Sequence, residues 1–361
     1  MSDISAVVLT IGEETTQRAI DSLKKQTIPP EEIIVIENVT PFHKALNLGA
    51  SKVKTEYFVQ VDADMVLDAD CFEGLRRCFR KDTGIVVGHL RDDIVGRQSG
   101  IKMFRAKCFE TVKFRDSISP DTDFRNDLRR QGYKMRYARR FRGLDAGSWH
   151  TFGEQKHAGG PAYFFSKYLL EGMRYRYRKA VGGLVWRFKW LQRRGHELLL
   201  ICQIALAHGI FLKDEKDLLK PFSEDKDYDI LKDFAGSKGK YAIRKPDISL
   251  FFIFKPETVF RKFYKLGIDL RGHDSFSSFE YCMDSLSKSY DVFAWLAKIG
   301  LCQGLFSENL DEARFKEEYG ILEKMLSKYA NVLYIIVKKL LSLPMSILLP
   351  VRFHRPVRYK I

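Results

Sequence analysis

Over roughly the first 150 positions, apolar residues fall into short runs separated by stretches of helical spacing. Ile4–Thr10 (ISAVVLT) is an unbroken apolar run rich in β-branched residues, the pattern of a strand covered on both faces. Residues 15–26 then set Ala19, Ile20 and Leu23 on one side of a helix, which Pro29 and Pro30 close. Residues 33–36 (IIVI) predict a second buried strand, 43–51 a second helix, and 57–61 (YFVQV) a third strand that runs straight into Asp62-Ala63-Asp64. Strands alternating with helices predict a parallel sheet with covering helices. In such sheets ligands bind beyond the carboxyl ends of the strands. All three runs end in polar residues there: Thr10 with Glu13 and Glu14, Glu37 with Asn38, and Asp62 with Asp64.

From about Gly160 the alternation stops and the pattern turns helical, over 163–178, 184–194, 197–212, 281–298 and 308–326. Residues 214–247 are charged and broken by glycine and proline, as a linker or long loop would be, and no internal repeat of fixed period stands out. Two apolar stretches bear on a membrane. Residues 197–212 are too few to cross about 30 Å of hydrocarbon and read as a core helix. Residues 331–351 carry Lys338, Lys339 and Pro344, which oppose a span. With Arg352, Arg355 and Arg358 beyond them, they fit a helix lying on an anionic membrane surface.

Composition narrows the class. The chain has 361 residues, long enough for two domains, and 45% are hydrophobic, which excludes a disordered chain. A net charge of +15 calls for an anionic partner, and nucleotide, lipid headgroup and nucleic acid all qualify. Six cysteines lie scattered without a CxxC pair and read as free thiols in a reducing compartment. The opening MSDISAVVLT lacks the basic and long apolar segments of a secretory leader, so cytoplasmic residence is expected.

The sharpest chemistry lies at Asp62 and Asp64. Two carboxylates one residue apart at a strand end form a hard-oxygen site for Mg²⁺ or Mn²⁺, shared with the diphosphate oxygens of a ligand. Such an ion neutralises charge developing on a departing diphosphate. With AVVLTIGEETTQRAIDSLKKQT, EEIIVIEN, KALNLGASKVKTEYFVQVDADM, GIKMFRAKCFE and SPDTDFRNDLRRQGYKMRY in that order, the first half resembles the family 2 inverting glycosyltransferases. The resemblance implies an α/β, GT-A (Rossmann-like), mostly parallel sheet with flanking helices over 1–158. A mainly α-helical C-terminal domain would follow over 159–361, shaping the acceptor site and touching a membrane surface.

Site residues carry over position by position. Thr10, Glu13 and Glu37 stand where the family contacts the base and ribose, and Lys44 near a basic residue that faces the diphosphate. Asp62 and Asp64 match the two aspartates of the DxD motif, Asp121 the base that deprotonates the acceptor hydroxyl, and Asp123 a following acidic position. Asp121 also stands where an aspartate could cap a helix. His150 is the candidate third metal ligand, with His157 in reserve. Two departures stand out: Pro120 replaces the glutamate that usually precedes the base, and Glu37-Asn38-Val39-Thr40 replaces Asp-Asp-Gly-Ser.

The implied activity is transfer of a sugar from a nucleoside-diphosphate sugar, a UDP-sugar first, to a glycan or glycolipid hydroxyl. Bacterial surface polysaccharide or lipopolysaccharide synthesis at the inner face of the plasma membrane fits that reading. The basic, aromatic-laced runs 129–142 and 174–179 then serve membrane or acceptor phosphate, and no nucleic acid is expected. Two alternatives stay open: a nucleotidyltransferase, and a non-catalytic GT-A-like protein that binds membrane or nucleic acid through its basic face.

Overall fold

The computed structural model describes residues 2–92, 96–138, 151–157, 160–192, 198–212, 229–233, 256–272, 276–287 and 292–341. Its strands are β1 (Ile4–Thr10), β2 (Ile33–Glu37), β3 (Tyr57–Asp62), β4 (Met65–Leu67), β5 (Thr83–Asp92), β6 (Gly96–Arg105), β7 (Lys134–Tyr137) and β8 (Gly153–Gln155). They form one mixed sheet in the order β2-β1-β3-β6-β5-β8-β4, with β7 also paired to β5. β1 runs parallel to β2 and β3, and β5 parallel to β7 and β8, while β6 runs antiparallel to β3 and β5. The helices covering this sheet are α1 (Thr16–Lys24), α2 (Phe42–Lys52), α3 (Cys71–Arg76), α4 (Cys108–Thr111) and α5 (Pro120–Arg130).

Every residue of β1 is buried because the strand is covered on both faces. Ile4, Ala6 and Val8 pack with Ala19 and Leu23 of α1 and with Phe72 and Leu75 of α3. Val7 and Leu9 point the other way, into a core with Ala45 and Leu46 of α2, Phe109 of α4 and Phe124 and Leu128 of α5. The alternation of side chains along a strand therefore gives the sheet two cores. A Cβ on Gly49 would come 2.3 Å from Val7 Cγ1, so only glycine lets α2 sit this close to β1. Phe124 of α5 packs with Phe58, Phe104, Phe109 and Phe114 in one aromatic cluster, stacked and edge-to-face, with neighbouring ring centroids 4.2–6.2 Å apart. This cluster fixes the helix that carries Asp121.

The helical half comprises α6 (Pro161–Arg178), α7 (Val181–Gln192), α8 (Leu198–Gly209), α9 (Pro256–Gly272), α10 (Phe276–Ser287), α11 (Val292–Gly304) and α12 (Glu312–Leu341). The chain divides into two compact units, one of residues 1–174 with 188–230 and the other of 175–187 with 231–361. Of the helix expected over 281–298, residues 281–287 lie in α10 and 292–298 in α11, with 288–291 outside the described residues, and the sequence pattern did not suggest α9. Residues 197–212 form a buried core helix, α8, as expected. Of 331–351, the backbone is helical to Leu341, and the remainder lies outside the described residues. No described helix is long and apolar enough to cross a membrane. All six cysteines are free.

An internal repeat, which the sequence did not reveal, runs through this half. Pro161 and Pro256 open α6 and α9, Val181 and Phe276 open α7 and α10, and Gly209 and Gly304 close α8 and α11; each pair is 95 positions apart (256 less 161, 276 less 181, 304 less 209). The packing repeats with the spacing. A Cβ on Gly172 would meet the Leu206 carbonyl oxygen at 2.3 Å, and one on Gly267 would meet that of Leu301 at 2.3 Å. Across the same crossings a Cβ on Gly209 would meet Leu169 O at 2.1 Å, and one on Gly304 would meet Tyr264 O at 2.2 Å. Buried Gln203 and His208 in the first copy correspond to buried Lys298 and Gln303 in the second. Only scattered identities survive between the copies, because the crossings join glycine to backbone carbonyl and leave the other core positions to interchangeable apolar residues.

Candidate active site

The carboxyl ends of β2, β1 and β3 lie side by side. Thr10 pairs with Glu37 across β1 and β2, and the Ala63 N–H donates to Leu9 O from the β3 side at 3.1 Å. The turn after β1 is built on Gly12, whose φ of 95° suits glycine. Glu13 ties that turn together: its Oε2 accepts from the Thr10 hydroxyl at 2.7 Å and from the Ile11 N–H at 2.8 Å. Glu37 ends β2 with its side chain exposed, and Lys44 stands exposed in the first turn of α2.

Asp62 is the last residue of β3, and Asp64 sits in the turn to β4. The Gln60 amide donates to Asp62 Oδ1 at 3.0 Å, and the Gln155 amide spans both oxygens of Asp64 at 3.0 Å. Burial holds the Asp62 carboxyl above its ordinary range; the Gln60 bond opposes this, and the Asp64 charge adds to it. Lys102 of β6 pulls the same group down and Asp121 pushes it up, so Asp62, Asp64, Lys102 and Asp121 act on one point. Lys102 Nζ bonds Asp121 Oδ1 at 2.8 Å. Asp121 is not a cap: Ser119 holds the N-cap position, Pro120 follows, and Asp121 lies in the first turn of α5. There it faces the positive end of the helix. Pro120 suits the first helical position, where no N–H is needed.

His150 lies outside the described residues, and His157 is the histidine found at Asp64. Its ring is buried between two carboxylates, with Nδ1 2.9 Å from Asp64 Oδ2 and Nε2 2.8 Å from Asp92 Oδ2. Nδ1 is fully buried, with the Asp64 carboxylate as its close neighbour. Burial pushes the ring pKa down, but Asp64 and Asp92 outweigh it and leave the ring above its ordinary value. Lys167 of α6 brings Nζ to 2.6 Å from Nε2. Tyr163, also on α6, feels burial and then the charges of Asp64, Asp62, Asp92 and Glu13, which push its phenol up to about 12. The charges of Glu13, Asp62, Asp64 and Asp92 thus all reach Tyr163.

Asp92, Gln98, Lys102, Gln155, Tyr163 and Lys167 escaped the sequence reading. Among the described residues no group of three His, Cys, Asp or Glu side chains closes a metal site. Asp64 and the buried Nδ1 of His157, 2.9 Å apart, are donors of the kind that suit a Mg²⁺ or Mn²⁺ ion keeping most positions for ligand oxygens and water.

Neither a protein-family model nor any curated protein sequence matches the chain. It is similar to solved structures at low identity. The mannosyltransferase PcManGT from Pyrobaculum calidifontis, in complex with GDP-Man and Mn²⁺, shares 13% identity over 58% of this chain and 72% of its own, with a TM-score of 0.38. S. aureus TarS 1-349 shares 11% identity over 85% of this chain and 91% of its own, with a TM-score of 0.34. A putative glucose-1-phosphate thymidylyltransferase from Bacillus anthracis shares 13% identity over 37% of this chain and 85% of its own, with a TM-score of 0.30.

Proposed function

We propose that the protein is an inverting, metal-assisted glycosyltransferase that moves a sugar from a nucleoside diphosphate to a hydroxyl acceptor. The observation that supports this reading is that the charges of Asp64, Lys102 and Asp121 all act on Asp62 at the carboxyl end of β3, with Lys102 bonded to Asp121. Thr10, Glu13 and Glu37, at the carboxyl ends of β1 and β2, would contact the base and ribose. Asp64 and His157 Nδ1, with Asp62 beside them, would hold Mn²⁺ or Mg²⁺ against the diphosphate. When bound, that ion neutralises the charge left on the diphosphate as the glycosidic bond breaks.

Asp121 takes the proton of the acceptor hydroxyl. The hydroxyl oxygen forms its bond to the anomeric carbon from the face opposite the diphosphate. The bonding pair leaves with the nucleoside diphosphate, and configuration inverts. Tyr163 and α6 would shield this step from water. The acceptor in this reading is a glycan or glycolipid of a bacterial surface polysaccharide or lipopolysaccharide pathway. The net charge of +15 supports approach to an anionic membrane face.

Thermal unfolding with UDP, GDP, their triphosphates and inorganic pyrophosphate, each with Mn²⁺, Mg²⁺ or chelator, tests the donor site. A diphosphate at ~100 times its Kd should stabilise the fold by about 2.7 kcal/mol. A metal-dependent shift with one diphosphate, lost in Asp64→Ala, supports the proposal. A shift confined to triphosphate and pyrophosphate would replace it with nucleotidyl transfer, and no shift at all would leave a binding protein.

A further inference from the structure

The sheet face beneath Asp121 continues past Lys102 across β6, β5 and β7, over side chains that the mechanism above does not use. Side chains alternate along a strand, so membership of the two cores fixes which residues share this face. Val87 and Phe104 belong to the core under α5, whereas Leu90, Ile101 and Met103 belong to the opposite one. Lys102, His89 and Arg91 therefore fall on the α5 side. Ser99 and Arg97 join them, because they stand opposite His89 and Arg91 in the register of β5 and β6. Tyr137 of β7 pairs with Val87 and stacks its ring on His89, with centroids 6.0 Å apart.

The charges here are arranged for an anion. Arg91 stands directly opposite Arg97, and like charges so placed destabilise an antiparallel pair. Arg91 Nη2 bonds Glu154 Oε2 at 2.9 Å, while Lys156 Nζ lies 3.6 Å from the other oxygen of that carboxylate. Two of the cations thus draw on one acid. Burial, and after it the Arg97 charge, hold the His89 ring below its ordinary pKa, so the imidazole adds a hydrogen-bonding group rather than a charge. Two guanidinium forks beside an imidazole, the exposed Ser99 and the half-exposed Tyr137 suit a phosphate, whose oxygens accept from several donors at once. A phosphate monoester carries about −1.5 to −2 charges at pH 7, which answers such a cluster better than one carboxylate does.

The cluster is also close to the proposed base. Lys102 bonds Asp121 and stands opposite Val87, and His89 is two residues further along β5. At about 3.3 Å per residue, that is roughly 7 Å along the sheet. A molecule held by its phosphate at His89 and Arg97 can therefore set a hydroxyl against Asp121. We propose that this face, with His89, Arg91, Arg97 and Tyr137, is the acceptor subsite and takes the phosphate of a phosphate-bearing acceptor, an assignment that rests on the glycosyl-transfer reading and names its acceptor chemistry.

The probes are glycerol phosphate, glycerol and glucuronate, followed by NMR of histidine-labelled protein with His89→Gln assigning the ring. Glycerol phosphate should shift the His89 resonance, and glycerol should not. Arg91→Gln and Arg97→Gln should each weaken that binding about 10-fold or more, whereas Arg77→Gln, which removes an exposed arginine of α3, should leave it unchanged. In protein loaded with Mn²⁺ and UDP or GDP, glycerol phosphate protons should relax faster than in Asp64→Ala, as befits a phosphate held beside the donor. Vesicles of phosphatidylglycerol, compared with phosphatidylcholine, separate the sources. Capture that is lost in Arg97→Gln puts the phosphate on a lipid, and glycerol phosphate binding without capture puts it on a soluble acceptor; both support the subsite. No shift at His89, an equal loss in Arg77→Gln, or tighter binding of glucuronate would overturn the proposal and leave the donor site standing. So would phosphate binding without faster relaxation in protein that holds Mn²⁺ and nucleotide. If neither nucleotide brings Mn²⁺ to the wild type, the donor reading fails and the acceptor assignment falls with it.

Discussion

Lys102 Nζ lies 2.8 Å from Asp121 Oδ1, and in the sheet register Lys102 stands directly opposite Gln60, whose amide holds Asp62. One cation on β6 thus links the proposed base to the proposed donor site. Asp121 is half exposed and sits in the first turn of a helix, and Lys102 ties it to the sheet. Turnover in Lys102→Met should fall about 10- to 100-fold, with Lys102→Arg largely retaining it. Asp121→Asn should lose about 10²- to 10⁴-fold with donor binding kept. If the lysine acts through the aspartate, adding Lys102→Met to Asp121→Asn costs little more. Additive losses in initial-rate measurements on the double variant would show that Lys102 acts on its own.

Arg174 offers a second test of how the base is placed. Its Nε donates to the Ile118 carbonyl at 2.9 Å, three residues before Asp121. Asn47 fixes the start of the same segment through both the N–H and the carbonyl of Phe114. Arg174→Ala should lower kcat about 10-fold or more while leaving the KM for donor near its wild-type value. A rise in donor KM with kcat unchanged would remove Arg174 from this role.

What the sequence disclosed depended on whether a residue's role was local. β1, β2 and β3 were legible because each is a compact apolar run ending in polar residues, and helices α1 and α2 fell within a residue or two of expectation. The pairing of Asp62 with Asp64 was legible for the same reason. Asp92, Gln155 and Lys167 were not. β8 is three residues long, too short for any period, and it joins the site only by pairing with β4 and β5. Lys102 reads along the chain as one polar position in a half-buried strand. The cluster of charges is brought together by register across the sheet, which no window along the chain displays. The helical repeat was hidden in a similar way, because what recurs is the close approach of glycine to a carbonyl.

That repeat predicts a matched pair of effects. Gly172→Ala and Gly267→Ala each drive a Cβ to 2.3 Å from a carbonyl oxygen, so each should destabilise by about 1–3 kcal/mol through forced separation of two helices. Gly320, on α12, has nothing within 4 Å of an added Cβ. Gly320→Ala should be neutral or stabilise by about 0.5–1 kcal/mol, since alanine favours the helix. Urea denaturation of the three variants checks the contrast. Equal behaviour at Gly320 and Gly267 would mean that the crossing is not close-packed.

Lys298 gives a pH dependence whose sign follows from its burial. The side chain is 4% exposed on α11, and burial brings its amine from 10.5 down to about 8, against weaker upward pulls from Cys302 and Asp284. Below about pH 8 the lysine is protonated in both the folded and the unfolded chain, and the fold carries the full cost of a buried cation. Between about 8 and 10.5 the unfolded chain binds a proton that the folded chain does not, so stability rises with pH. Lys298→Met keeps the unbranched stem and removes the charge. It should stabilise the protein at pH 7 by about 2–3 kcal/mol, and the gain should shrink toward zero as pH climbs to 10. Chemical denaturation of wild type and variant at pH 7, 8.5 and 10 measures this, and other titrating groups cancel in the difference. A gain that stays constant with pH would locate the effect in packing. A loss of stability at pH 7 would show that the buried ammonium is held by interactions stronger than its desolvation.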